Sequence, residues 1–232
     1  NPDWNYTYAK EIPGADIKAH GKVIIDSGDL EWNYKFARYV SGADIKAHGQ
    51  VIIDSESPDW NYKYAKEIPG ADIKAHGQAI INSGDLEWNY KYAKDILGAD
   101  IKAHGQVIID SGDLELIYSF VHDIEGIDFK RFGDAILASN NLEYIFKFAK
   151  MIQEKWSHIN QLSFLDKVNY LTIIYRLSRV NLSEYEKVII DSRDLYWNYR
   201  FAKNMSGANI IVHGQVVIDS EDIEWNYVYA RD

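Results

Sequence analysis

The chain of 232 residues has no cysteine, so neither disulfides nor thiolate metal sites can form. This absence is compatible with a reducing compartment, and we expect a cytoplasmic protein. No apolar run approaches the ~20 residues of a membrane-spanning helix, and no secretory signal precedes the first repeat. We therefore expect no membrane association.

Proline is also scarce, with four residues, and no Pro-rich linker divides the chain. No Gly-rich phosphate loop is present, because the pair Gly21-Lys22 lacks the Ser/Thr and the upstream glycine of a P-loop. Acidic residues outnumber basic ones, 35 to 25, which gives a net charge of −10. This charge argues against general attraction to nucleic acids or anionic membranes. The 14% aromatic content argues against disorder.

What the chain does contain is one unit, repeated. Tryptophan recurs every 28 residues in the first half, other residues hold the same phase in the middle, and tryptophan returns near the end. The positions are Trp4, Trp32, Trp60, Trp88, Leu116, Tyr144, Trp197 and Trp225. A fixed period in the range of 20 to 50 residues predicts a stacked repeat architecture.

Each unit carries the signals of two short helices. Asp29 is a good N-cap residue, an acid follows near the helix start, and the equivalent segments begin with Asn1-Pro2 and Ser57-Pro58. The first helix of this unit is predicted from Leu30 to about Val40, where a Ser-Gly or Pro-Gly pair ends the pattern. The second helix is predicted over residues 44–53.

Helices of about ten residues are too short to be stable alone, so their stability must come from stacking. The sequence therefore predicts an all-α fold, an α-solenoid of about eight two-helix repeats of 28 residues. The unit resembles the helix-turn-helix repeats of tetratricopeptide and HEAT arrays. The likeness is architectural, because the unit is shorter than a tetratricopeptide repeat of 34 residues and lacks its Leu-Gly-x-x-Tyr pattern.

The predicted array is one domain with three parts. Residues 1–112 are regular repeats, residues 113–187 are degenerate repeats, and residues 188–232 are regular again. From Tyr144 to Trp197 there are 53 residues, three short of two units, so we expect two degenerate repeats with a bend or altered stacking. The chain begins at a helix start and stops within a unit, which suggests a segment of a longer array.

Three further residue types recur once per repeat in phase with the tryptophan, namely histidine, glycine and asparagine. We call each such series of equivalent positions a column. The histidines invite a metal hypothesis, but stacked helices hold them too far apart for shared zinc ligation, and Phe132 and Tyr185 occupy the same column. We interpret them as packing residues and expect no metal and no cofactor. The glycine inside each second helix predicts close helix approach, beside a neighbour's tryptophan. The asparagine after each tryptophan predicts a hydrogen bond to a neighbouring turn.

Lysines and arginines form a stripe on the first helices, at Lys63, Lys66, Lys91, Lys94 and their equivalents. Tyrosines flank this stripe, which is the arrangement of surfaces that track a nucleic-acid backbone. The alternative is a solvated helix face, because pairs such as Glu31–Lys35 and Glu87–Lys91 have the favourable i,i+4 order. Acids gather at the turns between units, where helix capping accounts for about half of them.

No unique Ser/His/Asp, Cys/His or paired-carboxylate set is present, so we expect no enzyme. The leading hypothesis is a non-enzymatic solenoid scaffold that binds another protein. The degenerate stretch is the preferred contact region. The candidate partner-binding residues are Trp156, His158, Tyr144, Tyr185, Lys63, Lys66, Lys91 and Lys94.

Two alternatives remain open. The acidic turns could occupy the cationic groove of a nucleic-acid enzyme, as in an anti-defence inhibitor from a phage or mobile element. The richness in Lys, Ile, Asn, Asp and Tyr is typical of AT-rich bacterial, phage or giant-virus genes. The weaker alternative is direct binding of nucleic acid along the Lys/Arg stripe, against which the net charge stands.

Overall fold

The protein is an all-α array of short helices. The computed structural model describes residues 1–161 and 180–231, and within these ranges all regular structure is helical. The helices are α1 Pro2–Glu11, α2 Ile17–Ser27, α3 Leu30–Tyr39, α4 Ile45–Asp54, α5 Pro58–Glu67, α6 Ile73–Ser83, α7 Leu86–Asp95, α8 Ile101–Ser111, α9 Leu114–Asp123, α10 Phe129–Ala138, α11 Leu142–Gln161, α12 Leu182–Ser192, α13 Leu195–Asn204, α14 Ile210–Asp219 and α15 Ile223–Arg231. This confirms the predicted α-solenoid.

The chain forms two compact units, Asn1–Ser111 and Gly112–Asp232. In the first unit each odd-numbered helix pairs with the even-numbered helix that follows it. Odd helices also contact the next odd helix, and even helices contact the next even helix. Four such pairs therefore stack in register, which is the arrangement that the 28-residue period predicts.

Capping side chains begin both helices of each pair. The Asp29 carboxylate accepts from the backbone N–H of Trp32 at 3.0 Å. The second helix is capped in the same way, because Asp44 accepts from the N–H of Ala47 at 3.0 Å. Ser57 departs from the prediction: it makes no side-chain cap bond, and its hydroxyl donates instead to Asp59.

Glycine ends the turn between the two helices of a pair. Gly42 has a φ of +83°, and the equivalent Gly14 and Gly70 have φ values of +82° and +85°. A side chain is strained in this left-handed region, whereas glycine is not. The Ser-Gly and Pro-Gly pairs of the sequence therefore mark the turn for a conformational reason.

A hydrophobic cluster fills each junction between stacked pairs. One cluster joins Tyr34 and Ile52 of the α3–α4 pair to Tyr64 and Ile68 of the next pair. The half-buried Trp60 packs against this cluster. The centroids of the Tyr34 and Trp60 rings are 5.8 Å apart. The tryptophan column is therefore the seam along which successive odd helices pack, and this explains its period.

The glycine within each even helix allows another close contact. A Cβ atom on Gly49 would lie 3.1 Å from the Tyr64 ring and 3.4 Å from Nε2 of His76. The close approach was predicted correctly, but its partner was not. The neighbours are the tyrosine and histidine of the next pair rather than a tryptophan.

We expect Gly49→Ala to destabilise the protein by about 1–3 kcal/mol, although alanine has the higher helix propensity by about 1 kcal/mol. The Tyr64 ring is fully buried and its hydroxyl donates to the Ile45 carbonyl at 2.7 Å, so it cannot move aside easily. Denaturant unfolding measures the effect. Gln50→Ala, at the next, exposed position, is the control and should change stability by less than about 0.5 kcal/mol. Equal effects of the two substitutions would contradict the close packing.

The second unit contains one odd helix that is longer than the others. Helix α11 has 20 residues and continues past the position where other odd helices end. Phe146 on this helix packs against Trp197 of α13, with ring centroids 5.7 Å apart. Helices α11 and α13 are thus successive odd helices. The expectation of two degenerate repeats between Tyr144 and Trp197 stays a prediction, because residues 162–179 lie outside the described residues.

The extended part of α11 is attached to the turn that follows α13. The Gln153 side-chain amide donates to the Ser206 carbonyl at 2.8 Å, and the Ser206 N–H donates back to the Gln153 oxygen at 3.2 Å. This two-way bond holds α11 and α13 together at their ends.

No helix in the described ranges has the length and apolar character needed to cross a lipid bilayer.

Candidate functional site

The histidine column forms a buried ladder with the asparagine column. In the first unit, Nδ1 of His48 lies 2.7 Å from Oδ1 of Asn33. The Asn33 amide nitrogen donates to two carbonyls, Ile24 at 3.1 Å and Asp29 at 2.8 Å. Its oxygen must therefore accept, and the histidine is neutral with its proton on Nδ1. The same pair recurs as His20–Asn5, His76–Asn61, His104–Asn89 and, in the second unit, His213–Asn198.

The other ring nitrogen of these histidines faces a glycine. Nε2 of His48 is buried without a hydrogen-bond partner, as is Nε2 of His104. A Cβ on Gly21 would lie 3.3 Å from Nε2 of His48. The His48 ring also packs on Phe36, with centroids 4.8 Å apart. The histidine therefore fills a closed space, which confirms the packing interpretation for this column and the hydrogen-bond prediction for the asparagines.

Burial lowers the pKa of His48 to about 4, although the nearby Asp44 carboxylate opposes the shift. Burial lowers the pKa of His76 and His104 to about 4 as well. The physical cause is that a second ring proton would have no acceptor in this apolar space. His48, His76 and His104 are therefore neutral structural residues at physiological pH.

The second unit departs from the ladder at several positions, which include Tyr185 in the histidine column. Phe132 takes the histidine position and Ile117 the asparagine position, so both partners are apolar together. Phe132 stacks on Phe120 with centroids 5.3 Å apart. In another case, Glu186 holds the glycine position before His213, and its carboxylate lies 3.3 Å from Nε2 of that ring, outside good hydrogen-bond geometry.

The ladder predicts that acid weakens the fold. A histidine with a folded pKa of about 4 and an unfolded value of 6.5 binds more protons when unfolded. Its contribution is complete above pH 6.5 and is lost as the pH falls from 6.5 towards 4. Between pH 7 and 5.5, where most carboxylates stay ionised, each such histidine should remove roughly 1 kcal/mol of stability. Urea unfolding at the two pH values measures this.

The variant Asn61→Ile with His76→Phe tests the cause, because it copies the apolar pair of Ile117 and Phe132. It should reduce the acid-induced loss by roughly 1 kcal/mol. His122→Gln, at an exposed histidine, is the control and should leave the loss unchanged. An unchanged loss in the double variant would rule out the ladder as the source.

Within residues 1–161 and 180–231, no group of three His, Cys, Asp or Glu side chains could hold a metal ion. His48 and His104 donate Nδ1–H to asparagine and bury Nε2 beside a glycine. They therefore present no lone pair to a ligand from solvent.

The candidate lysines of the first unit contact their own array. Lys66 forms an ion pair with Asp95 of the next odd helix at 2.8 Å, and this bond, together with one to the Tyr62 hydroxyl, raises the pKa of Lys66. Lys63 lies 4.4 Å from the Tyr34 ring centroid. The ion pairs predicted within helices are present for Lys35–Glu31, Lys91–Glu87 and Lys147–Glu143, and Lys94 lies over the Tyr90 ring.

The four candidates of the second unit have different environments. Tyr185 is buried, with 2% of its surface exposed, and stacks on Phe148, so it is a core residue that cannot contact a partner. Tyr144 and Trp156 are half-buried, and His158 is exposed on the last turns of α11. Tyr144 carries the Lys147 ammonium 4.8 Å from its ring centroid. The structure does not bring these four side chains into one cluster.

A different site lies on the odd helices of the second unit. We call it the α9–α13 pocket, a cavity of about 560 Å³ between α9, α11 and α13. Its lining is Tyr118, Glu143, Phe146, Lys147, Lys150, Met151, Glu154, Tyr196, Trp197 and Arg200. Burial and the Glu154 carboxylate raise the pKa of Tyr118, and the hydrogen bond that the Lys147 ammonium donates to Glu143 raises the pKa of Lys147. The tyrosine therefore stays neutral and the lysine charged.

Sequence reasoning missed two residues of this pocket. Helices α3, α7 and α11 carry Glu and Lys at i and i+4, as in Glu31 and Lys35, but α13 carries Tyr196 and Arg200. Tyr196 is 46% exposed although it is a large aromatic residue. The signal was visible in the sequence, since this helix reads Leu-Tyr-Trp-Asn-Tyr-Arg where the unit reads Leu-Glu-Trp-Asn-Tyr-Lys.

Comparison with family models, curated proteins and solved structures gave no match for this chain.

Proposed function

We propose that this chain is a non-enzymatic solenoid that binds another protein, and that the α9–α13 pocket is its specific contact site. The observation that carries the proposal is the exchange of a Glu–Lys pair for Tyr196 and Arg200 beside an open cavity. Tyrosine, tryptophan and arginine are the residues that dominate the binding energy of protein interfaces. The pocket concentrates all three on one surface.

The regular part of the array supports this location. Its polar columns are used internally, because asparagine binds histidine and the lysines bind acids or lie over rings. Groups that already have partners gain little from a further contact, since the existing bond must break first. Specific recognition is therefore expected where the unit departs from its pattern, which agrees with the preference for the degenerate stretch and extends it to α13.

Affinity capture from bacterial lysate, followed by mass spectrometry, tests the proposal. The informative variant is Tyr196→Glu with Arg200→Lys, which installs the Glu–Lys pair found on α3, α7 and α11 and should fold normally. We expect it to weaken binding of the captured protein at least tenfold. Glu31→Tyr with Lys35→Arg, the reverse exchange on α3, is the matched control and should bind like the unaltered chain.

Unchanged capture by the α13 variant would move the contact away from the pocket. His158→Ala then tests the region that the sequence favoured, because this side chain is exposed on α11. A chain that retains no protein above the background of an unrelated helical protein would contradict the proposed function itself.

The lysine stripe leads to a further expectation. Lys66 and Lys91 already neutralise carboxylates, and acids flank the stripe throughout. We expect no mobility shift of single- or double-stranded DNA or RNA at micromolar protein and low salt, the condition most favourable to phosphate contacts. Lys63→Glu with Lys94→Glu serves as the comparison. A shift with the unaltered chain that this variant abolishes would establish the nucleic-acid alternative.

A further inference from the structure

The arginine in the α9–α13 pocket has lost the acid that its equivalents possess. Lys35, Lys91 and Lys147 each pair with the glutamate four residues earlier. At Arg200 that earlier position is Tyr196, whose hydroxyl accepts from Nη1 at 3.1 Å. No carboxylate of the described residues forms an ion pair with Arg200. Its positive charge is therefore uncompensated, although the chain as a whole is strongly acidic.

Aromatic rings surround this guanidinium. Its central carbon lies 4.9 Å from the Phe146 ring centroid and 5.4 Å from those of Trp197 and Tyr196. Such contacts hold the planar group in one orientation. An arginine held in this way can offer two parallel N–H groups to a carboxylate with little further loss of side-chain freedom.

The charges of the lining leave one positive charge in excess. Lys147 pairs with Glu143 at 2.5 Å, and Lys150 lies 3.8 Å from Glu154. These two pairs cancel, so Arg200 supplies the remaining charge. The lining thus matches a ligand with a single negative charge that lies among aromatic side chains.

We propose that the pocket binds the carboxylate of an aspartate or glutamate side chain on a partner protein, beside an aromatic residue of that partner. Arg200 holds the carboxylate, and Tyr118, Tyr196 and Trp197 contact the neighbouring ring. This inference rests on the proposed protein-binding function and names the chemistry of the partner at the same site.

A phosphate group fits this site less well. It carries about two negative charges at neutral pH, whereas the lining has only one positive charge in excess. Glu143 and Glu154 border the same cavity, and their carboxylates would repel the second charge. A carboxylate avoids this repulsion and needs only the fork of N–H groups that Arg200 provides.

The test uses defined probes rather than the natural partner. Two tripeptides, acetylated and amidated at their ends, differ only in the central residue: Phe-Glu-Phe carries the carboxylate, and Phe-Gln-Phe has the same shape without the charge. Phenyl phosphate is the third probe. Binding to the full chain is followed by ¹⁵N-resolved NMR, through the Arg200 side-chain N–H and the Trp197 indole N–H, assigned with Arg200→Lys and Trp197→Phe.

We expect the glutamate peptide to shift both signals and to bind roughly tenfold more tightly than the glutamine peptide, because charge-assisted hydrogen bonds are the stronger ones. This preference should weaken with added salt. In Tyr196→Glu with Arg200→Lys the preference should disappear, whereas Glu31→Tyr with Lys35→Arg should keep it.

Three results would overturn the inference: equal affinity for the two peptides or no binding of either, an unchanged preference in the α13 variant, or tighter binding of phenyl phosphate. Each is independent of the capture experiment. A protein captured through α13 while the peptides bind equally would sustain the proposed function and reject the carboxylate. Selective binding of the glutamate peptide without any captured protein would support the carboxylate site and contradict the proposed protein-binding function.

Discussion

A hydrogen bond between a buried asparagine and a buried histidine, 15 residues apart, joins the two helices of each regular pair. The asparagine also binds a carbonyl at the end of the preceding even helix, so one side chain connects three helices. The histidine then needs a flat aromatic neighbour and a backbone without a Cβ atom beside Nε2. The phenylalanine or tyrosine column and the glycine column supply these, and the repeat varies little at all four positions.

These internal contacts limit the ability of the regular repeats to bind other molecules. Their polar side chains are committed within the array, and their lysines lie against acids or rings of neighbouring helices. A position is available for new interactions where its residue differs from the repeat pattern and the residue it normally contacts does not differ in a matching way. Ile117 and Phe132 changed together and produced ordinary packing, whereas Arg200 lost its glutamate and kept its charge. At Ile117 and Phe132 the two residues still pack against partners of the same kind, whereas Arg200 has a charge that is available to a ligand.

The long helix α11 of the second unit forms the surroundings of Arg200. Helix α11 runs past the usual turn, and Gln153 attaches its extension to the backbone after α13. Helices α11 and α13 pack through Phe146 and Trp197, as successive odd helices of the first unit pack through tyrosine and tryptophan. The helices that line the pocket are therefore held together by aromatic contacts of the kind that join the odd helices elsewhere.

The sequence alone determined the period, the helix class and most helix bounds, because caps, turn glycines and apolar spacing act within one unit. It also identified the histidines as packing residues, since aromatic residues replace them in phase. The tertiary structure decided which columns meet: asparagine with histidine, glycine with tyrosine and histidine, and Phe146 with Trp197, 51 residues apart. It also buried Tyr185 and placed Arg200 in a pocket. These contacts depend on how helix pairs stack. The stacking geometry is set by shape complementarity between neighbouring pairs, and the spacing of residues within one 28-residue repeat does not determine it.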